Sequence, residues 1–204
     1  MALLLSALLF SLSSNLDNVV VGTAYGLKKI KIGIIANLII AIITSTGTFL
    51  SMSLGVYISK FLPHYIANGF GAGVIIILGG YFVVQSIIKL ISNKCSKELA
   101  LKDITDMIEY AEKSDLDNSG DINIKEAILV AFALTFNNLG TGVAASITGV
   151  SIEFTVIFTF VLSILTILLG ETIGNNVLGN FLGKYAPLIS GILLIILGII
   201  EFLN

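Results

Sequence analysis

Long apolar segments separated by short charged clusters dominate the chain. Asp, Glu, Lys and Arg are absent from three segments of at least 26 residues, 32–59, 61–88 and 127–152. A first apolar stretch is interrupted only by Asp17, and the segment 154–204 has room for two helices around a polar break. About 20 apolar residues suffice to cross a bilayer as a helix. The pattern therefore predicts six transmembrane helices, near residues 2–26, 33–58, 67–89, 126–148, 154–175 and 186–203.

Composition supports an all-α integral membrane protein. Hydrophobic residues make up 56% of the chain and charged residues only 12%, whereas a soluble domain is about 25% charged. A soluble globular enzyme is therefore excluded. The net charge of −2 offers no basic surface for nucleic acid. The single His and single Cys exclude a His/Cys metal cluster within one chain.

Lysine placement predicts the orientation in the membrane. Ten of the eleven Lys lie in the connections that follow helices one, three and five, and only Lys60 lies on the other side. The positive-inside rule makes the Lys-rich side cytoplasmic. We therefore expect a multi-pass plasma-membrane protein with both termini outside. No Lys precedes the first apolar core, so we expect a helix there rather than a cleaved signal peptide.

The chain also repeats itself. A shift of 120 residues sets Asp17 against Asn137 and Gly22 against Gly142. Two halves of three helices each are necessarily inverted relative to one another, which is a transporter architecture with its site near the midplane. Duplicated membrane domains without transport are the alternative. The predicted parts are a first repeat at 1–89, a cytoplasmic connection at 90–125 and a second repeat at 126–204.

A carboxylate deep in the first helix is the candidate ion site. Burying Asp17 in a bilayer costs free energy that a partner, a cation or a proton must offset. Amides surround it in the first helix, and the repeat brings two more to the matching depth of the fourth. Carboxylate and amide oxygens suit hard cations such as Mn²⁺, Mg²⁺ or Ca²⁺. The predicted ion pathway comprises Asn15, Asp17, Asn18, Asn137 and Asn138. A protonated Asp17 that only fixes helix packing is the alternative.

The third connection carries a calcium-loop motif. Residues 115–126 read DLDNSGDINIKE, which matches a twelve-residue EF-hand loop with Gly120 at the sharp turn. Apolar residues at helical spacing in 101–111 predict an amphipathic helix before it. The predicted ligands of Ca²⁺, or of Mn²⁺, are Asp115, Asp117, Ser119, Asp121 through its backbone, Asn123 and Glu126. A solvated acidic turn is the alternative. Because Glu126 begins the fourth helix, one hypothesis is that metal binding there moves this helix.

These motifs resemble the MntP-like manganese efflux pumps. The stretch 15–18 with Gly22 and Gly26 looks like the first-helix motif of the family. The basic junction 26–31 and the acidic stretch leading into Lys125 are closer to its sporulation branch, called YtaF. The resemblance implies six helices, inverted repeats and divalent-cation export. It also implies an acidic residue in helix four, where this chain has Asn137, so the formal charge of the site is halved.

Three functional interpretations follow. The first is a divalent-cation transporter that is expected to export Mn²⁺. Its expected partners are the lipid bilayer and metal ions, and a second copy of the chain is a candidate partner in a homodimer. The second is a non-transporting, Ca²⁺-responsive membrane protein of the sporulation type that acts through a partner. The third, an intramembrane enzyme, is the weakest because the spans hold no Ser/His or His/Asp/Glu constellation. We therefore expect no enzyme.

Overall fold

The computed structural model describes residues 2–61, 63–95, 111, 113–174 and 179–203. Helices account for nearly all of these residues, and we number them in chain order as α1 (Ala2–Ser14), α2 (Leu16–Lys28), α3 (Ile34–Ser59), α4 (His64–Cys95), α5 (Ile124–Ile147), α6 (Ile152–Gly174) and α7 (Gly179–Leu203). Five spans are long and apolar enough to cross a membrane, with α1 and α2 together forming one of them. A sixth is added if the two parts of α5 count as one span. The predicted all-α membrane architecture is confirmed.

The first span differs from the continuous helix expected over 2–26. It is interrupted at Asn15, whose backbone lies at φ −100° and ψ 2°. The Asn15 side chain bonds its own helix, because Nδ2 donates to the Ser11 carbonyl at 2.7 Å. Short polar side chains compete with helical backbone bonding in this way. The polarity at 15–18 was visible in the sequence, but the break was not predicted.

A second interruption lies in α5. Its two parts, Ile124–Phe136 and Asn138–Ile147, are bent by 47°. The bend falls at residue 137, which a shift of 120 residues sets against Asp17. Among the described residues, the two interrupted spans are thus those of the predicted site, each at its Asn-rich stretch.

Other helix ends differ modestly from expectation. α4 begins at His64 and continues to Cys95, beyond the predicted 67–89. α7 begins at Gly179 rather than near 186 and keeps Pro187 inside the helix. The amphipathic helix predicted at 101–111 lies outside the described residues except for Ala111, which is buried.

Small residues allow the closest helix contact. α2 packs on α6, α3 on α5 and α4 on α7. A Cβ added at Gly22 would lie 2.5 Å from the Ile167 carbonyl oxygen, and one at Gly170 would lie 2.5 Å from the Val19 oxygen. Only glycine permits this approach of α2 and α6. The bundle's outer surface remains apolar, with Ile77, for example, 71% exposed, as a lipid-facing surface requires.

The α2–α3 junction and the 115–126 loop meet at one end of the bundle, which we call the loop end. Lys31 N donates to the Gly120 carbonyl at 2.9 Å, and Ile122 N donates to the Lys31 carbonyl at 3.0 Å. Ile30, Ile32 and Ile122 are buried in the same apolar cluster. The loop is therefore fixed to the membrane bundle by backbone bonds and by apolar packing.

Candidate functional site

Polar side chains from five helices meet inside the bundle, where the first span is interrupted. We call this the central polar cluster: Ser14, Asn15, Asp17, Asn18, Thr44, Thr48, Asn138 and Ser163. Most of these side chains are buried, with Asn15 and Asn18 each 2% exposed. Buried polar groups in a membrane protein must find partners within the protein or from a ligand.

Asp17 lies in the first turn of α2. Its Oδ1 accepts the Asn18 backbone N–H at 2.9 Å, and its Oδ2 accepts Nδ2 of Asn138 at 3.2 Å. The N-terminal end of a helix favours negative charge, because its N–H groups point outward. The helix end and the two hydrogen bonds therefore favour a negative charge at this position.

Asn138 joins the two interrupted helices. The same Nδ2 that reaches Asp17 also donates to the Ser14 carbonyl at 2.8 Å. Ser14 is the last residue of α1, so its carbonyl is one of those that a helix end leaves without a partner. One amide thus bonds both sides of the break. The structure brings Asp17 and Asn138 together, while the side chain of Asn137 lies outside the described residues.

Asn15 and Asn18 connect the break to α6. Asn18 Nδ2 donates to Asn15 Oδ1 at 2.8 Å and to Ser163 Oγ at 3.1 Å. The Ser163 hydroxyl also lies 3.3 Å from Thr44 Oγ1. The sequence analysis did not include α6 in the site. The available signal was the spacing of Thr155, Thr159 and Ser163, which places hydroxyls on one face of an otherwise apolar helix.

A small cavity lies within the central polar cluster. It has a volume of about 10 Å³, near the minimum for one water molecule. It is lined by Ser14, Asn15, Asn18, Thr44, Thr48, Leu134, Thr135, Asn138 and Thr159. Thr44 and Thr48 donate to backbone carbonyls of their own helix, and they also face the space between the interrupted helices.

The 115–126 loop gathers three carboxylates. Ligand atoms of Asp115, Asp117 and Glu126 all lie within 4.8 Å of one another. Asp115 accepts the backbone N–H groups of Ser119 and Gly120, each at 3.0 Å. Gly120 has φ +79°, in the left-handed region that favours glycine. The turn expected at this position is present.

Glu126 connects the loop to α5. Its side chain is 1% exposed, and its two oxygens accept the backbone N–H groups of Leu116 at 2.8 Å and Asn123 at 2.9 Å. Asn123 in turn caps α5, which completes a capping box. The carboxylate is therefore held at the point where the loop becomes a membrane helix.

The remaining predicted ligands lie on the exposed side of the loop. Ser119 Oγ donates to the Asp121 carbonyl at 2.9 Å, and Asn123 Nδ2 donates to Asp117 Oδ2 at 3.0 Å. Hydrogen bonds from the Ser119 hydroxyl, the Ser119 backbone and the Asn123 side chain hold the pKa of Asp117 below its ordinary value. Three oxygen-bearing side chains and a backbone carbonyl thus accompany the buried pair Asp115 and Glu126.

Comparison with known proteins identifies the family. Residues 83–202 match the family described as "Putative manganese efflux pump" (Mntp). The "Probable sporulation protein YtaF" of Bacillus subtilis (strain 168) is 35% identical over 158 residues, which cover 72% of this chain and 75% of the relative. The chain belongs to the MntP family. The resemblance read from the sequence is confirmed, including its sporulation branch. No solved structure matches the chain.

The apolar helices and the family together indicate a multi-pass membrane protein. The family's description is that of an efflux pump, which is a class of transporter and not of enzyme. The match covers α5, α6 and α7, and so includes Asn138 and Ser163. The relative's name refers to sporulation and names no transported ion.

Proposed function

We propose that this chain exports a divalent cation, Mn²⁺ first among candidates, through the central polar cluster. Asn15, Asp17, Asn18, Asn137 and Asn138 are the proposed ion pathway. The observation that carries the proposal is the contact of Asp17 with Asn138 between two interrupted helices, in a chain of a manganese efflux family. Interrupted helices near the midplane are where transporters bind ions.

The chemistry of the cluster suits a hard cation held loosely. Asp17 supplies one negative charge, and amide and hydroxyl oxygens supply neutral ligands of the kind that Mn²⁺ and Mg²⁺ accept. One carboxylate does not neutralise a divalent ion, so the ion keeps part of its hydration. Weak binding favours transport because the ion must leave as readily as it enters. We also propose that export of the cation is coupled to the movement of another ion down its gradient.

An inverted repeat is proposed for the two halves, α1–α4 and α5–α7. The helix contacts support it. In such a repeat the first span, α1 with α2, corresponds to α5, and α3 and α4 correspond to α6 and α7. Exchanging corresponding spans turns the α2–α6 contact into the α3–α5 contact. It leaves the α4–α7 and α3–α6 contacts unchanged. With the loop end cytoplasmic, as the Lys distribution predicts, both termini lie outside.

The test is Mn²⁺ flux into proteoliposomes. Asp17→Asn keeps the shape of the side chain and removes its charge. Glu153→Gln is the matched control, because it removes one charge from an exposed position outside the cluster. We expect Asp17→Asn to abolish flux and Glu153→Gln to retain it. Equal flux in wild type and Asp17→Asn would exclude the central polar cluster as the ion site.

We further propose that the 115–126 loop binds Ca²⁺ or Mn²⁺ and regulates transport. Three observations support this: the carboxylates lie close together, Glu126 lies in the first turn of α5, and Lys31 pairs with the loop. Ile30 and Ile32, on either side of Lys31, pack in the same apolar cluster as Ile167 of α6. The loop is thus connected to α5 through the chain and to α6 through the α2–α3 junction, and both helices contribute to the central polar cluster.

Titration calorimetry and flux measured together test this regulation. Glu126→Gln removes the bidentate carboxylate and preserves the capping box, which accepts Gln at this position. Asp121→Asn is the matched control, because position seven provides a backbone carbonyl. We expect Glu126→Gln to abolish loop binding and the Ca²⁺ dependence of flux, while Asp121→Asn preserves both. Loop binding of Ca²⁺ without flux of any cation would favour the Ca²⁺-responsive, non-transporting alternative.

A further inference from the structure

One buried amide lies between the central polar cluster and the loop end. Asn37 of α3 is 2% exposed. Its Nδ2 donates to the Ile164 carbonyl of α6 at 3.2 Å. Its Oδ1 is buried and has no hydrogen-bond donor among the described residues. A buried amide oxygen without a donor is costly and rare in folded proteins, so it calls for an explanation.

The position of Asn37 on α3 provides one. Thr44 and Thr48 follow it at intervals of seven and eleven residues, which places all three on one face of the helix. That face meets α6, where Ser163 bonds Thr44 and Asn18. Asn37 therefore lies about two turns nearer the loop end than the central polar cluster, in the same α3–α6 interface.

Polar contacts continue from the cluster toward the opposite end. Thr159 Oγ1 lies 3.3 Å from Ser11 Oγ, and Ser11 Oγ donates to the Thr155 carbonyl at 3.1 Å. Ser11, Thr155 and Thr159 are all at most 3% exposed. A row of buried oxygens thus runs along α6 from Thr155, through the central polar cluster, to Asn37.

We propose that Asn37 forms a second cation subsite, through which a hydrated divalent cation passes between the loop end and Asp17. This rests on the proposed transport function. The bond to Ile164 fixes the amide, so that Oδ1 is available to coordinate the ion or to accept a hydrogen bond from its hydration water. A neutral oxygen suits an entry subsite, because it replaces part of the hydration without adding a second charge that would retain the ion.

The test measures Mn²⁺ flux from each side separately, in inside-out and right-side-out membrane vesicles. Asn37→Leu removes the oxygen at similar volume, and Asn37→Asp retains it. We expect Asn37→Leu to raise the half-saturating Mn²⁺ concentration about tenfold when Mn²⁺ is added at the loop end, a factor typical of one lost polar interaction. The value from the opposite side should stay within about twofold. Asn37→Asp should not raise either value.

Asn68 provides the matched control. Its Oδ1 is also buried, with no donor in the part of the chain that the structure describes, and its Nδ2 donates to the Glu201 carbonyl at 3.1 Å. It lies between α4 and α7, away from the row of oxygens. Asn68→Leu should therefore leave both half-saturating concentrations unchanged.

Three results would overturn the inference. The first is an equal rise on both sides for Asn37→Leu, and the second is a lower maximal rate alone, since each indicates a structural role. If Asn37→Leu does not elute as a folded protein, Asn37→Asp provides the test. A half-saturating Mn²⁺ concentration at the loop end that is higher in Asn37→Asp than in wild type is the third result. Flux that depends on Asp17 but not on Asn37 removes this subsite and leaves the proposed function standing. Absence of flux in wild type removes both.

Discussion

The bond between Asn138 and Asp17 should contribute measurably to the stability of the bundle. Asn138→Ala removes the two hydrogen bonds that this amide makes outside its own helix, to the Ser14 carbonyl at 2.8 Å and to Asp17 Oδ2 at 3.2 Å. A neutral bond contributes about 1 kcal/mol, and a bond to a charged group about 1.5–3 kcal/mol. Cross-helix bonds within membranes average only about 0.6 kcal/mol. We therefore expect Asn138→Ala to destabilise the protein by about 2–3 kcal/mol.

A double-mutant cycle isolates the part that belongs to the pair. Asp17→Ala, Asn138→Ala and the double variant should give a coupling free energy of about 1 kcal/mol. Packing losses from truncating either side chain cancel in the cycle, provided that the single variants form no new contacts. The assay is equilibrium unfolding by SDS in mixed micelles, followed by circular dichroism because the chain contains no Trp.

Asn68→Ala serves as the reference for one neutral bond outside the cluster. It should cost about 1 kcal/mol or less, because its side chain makes one hydrogen bond with the described residues, to the Glu201 carbonyl. A coupling free energy of zero between Asp17 and Asn138 would refute the reasoning. It would mean that the carboxylate does not depend on the amide of α5, and that the two interrupted helices are not joined there.

Three further predictions concern packing and the loop. Gly22→Ala should destabilise the bundle by about 1–3 kcal/mol, because the added Cβ would lie 2.5 Å from a backbone oxygen of α6. Gly140→Ala is the control, because a Cβ there meets nothing within 4 Å. It should be neutral or stabilising in the same SDS unfolding assay. Ile122→Ala should lower the metal affinity of the loop and reduce the free energy of unfolding by about 2–4 kcal/mol, since Ile122 is 5% exposed. Ile124 is 56% exposed and should tolerate Ala. Calorimetry with Ca²⁺ compares the two variants. In the metal-free protein the pKa of Asp117 lies below 3.8, so its contribution to loop stability is present above the unfolded pKa and is lost as the pH falls through the folded pKa. A carboxyl NMR titration with a midpoint above 3.8 would contradict this assignment.

The spacing of charges determined the membrane architecture, because only long apolar helices can bury their backbone groups in a bilayer. It placed the spans to within a few residues at most ends. The 115–126 motif predicted the turn at Gly120 and the convergence of Asp115, Asp117 and Glu126, since a twelve-residue loop sets these positions locally. The likeness of residues 15–18 to 135–138 predicted that these two helices contribute to the candidate site, which stays a prediction. Each of these inferences rests on a local pattern of residues or on the likeness of two such patterns.

What joins distant residues required the tertiary structure. The Ser14 carbonyl at the break beside Asn15 accepts a hydrogen bond from Asn138, which lies more than 120 residues away in the chain. This contact stabilises the interrupted helix. Ser163 and Asn37 lie near the candidate site because α3 and α6 pack side by side. The sequence of an apolar span does not determine which of its faces a neighbouring helix covers. The same holds for Lys31, whose backbone pairs with the 115–126 loop. Helix periodicity determines which residues share a face, whereas packing determines which faces meet, and the candidate site depends on both.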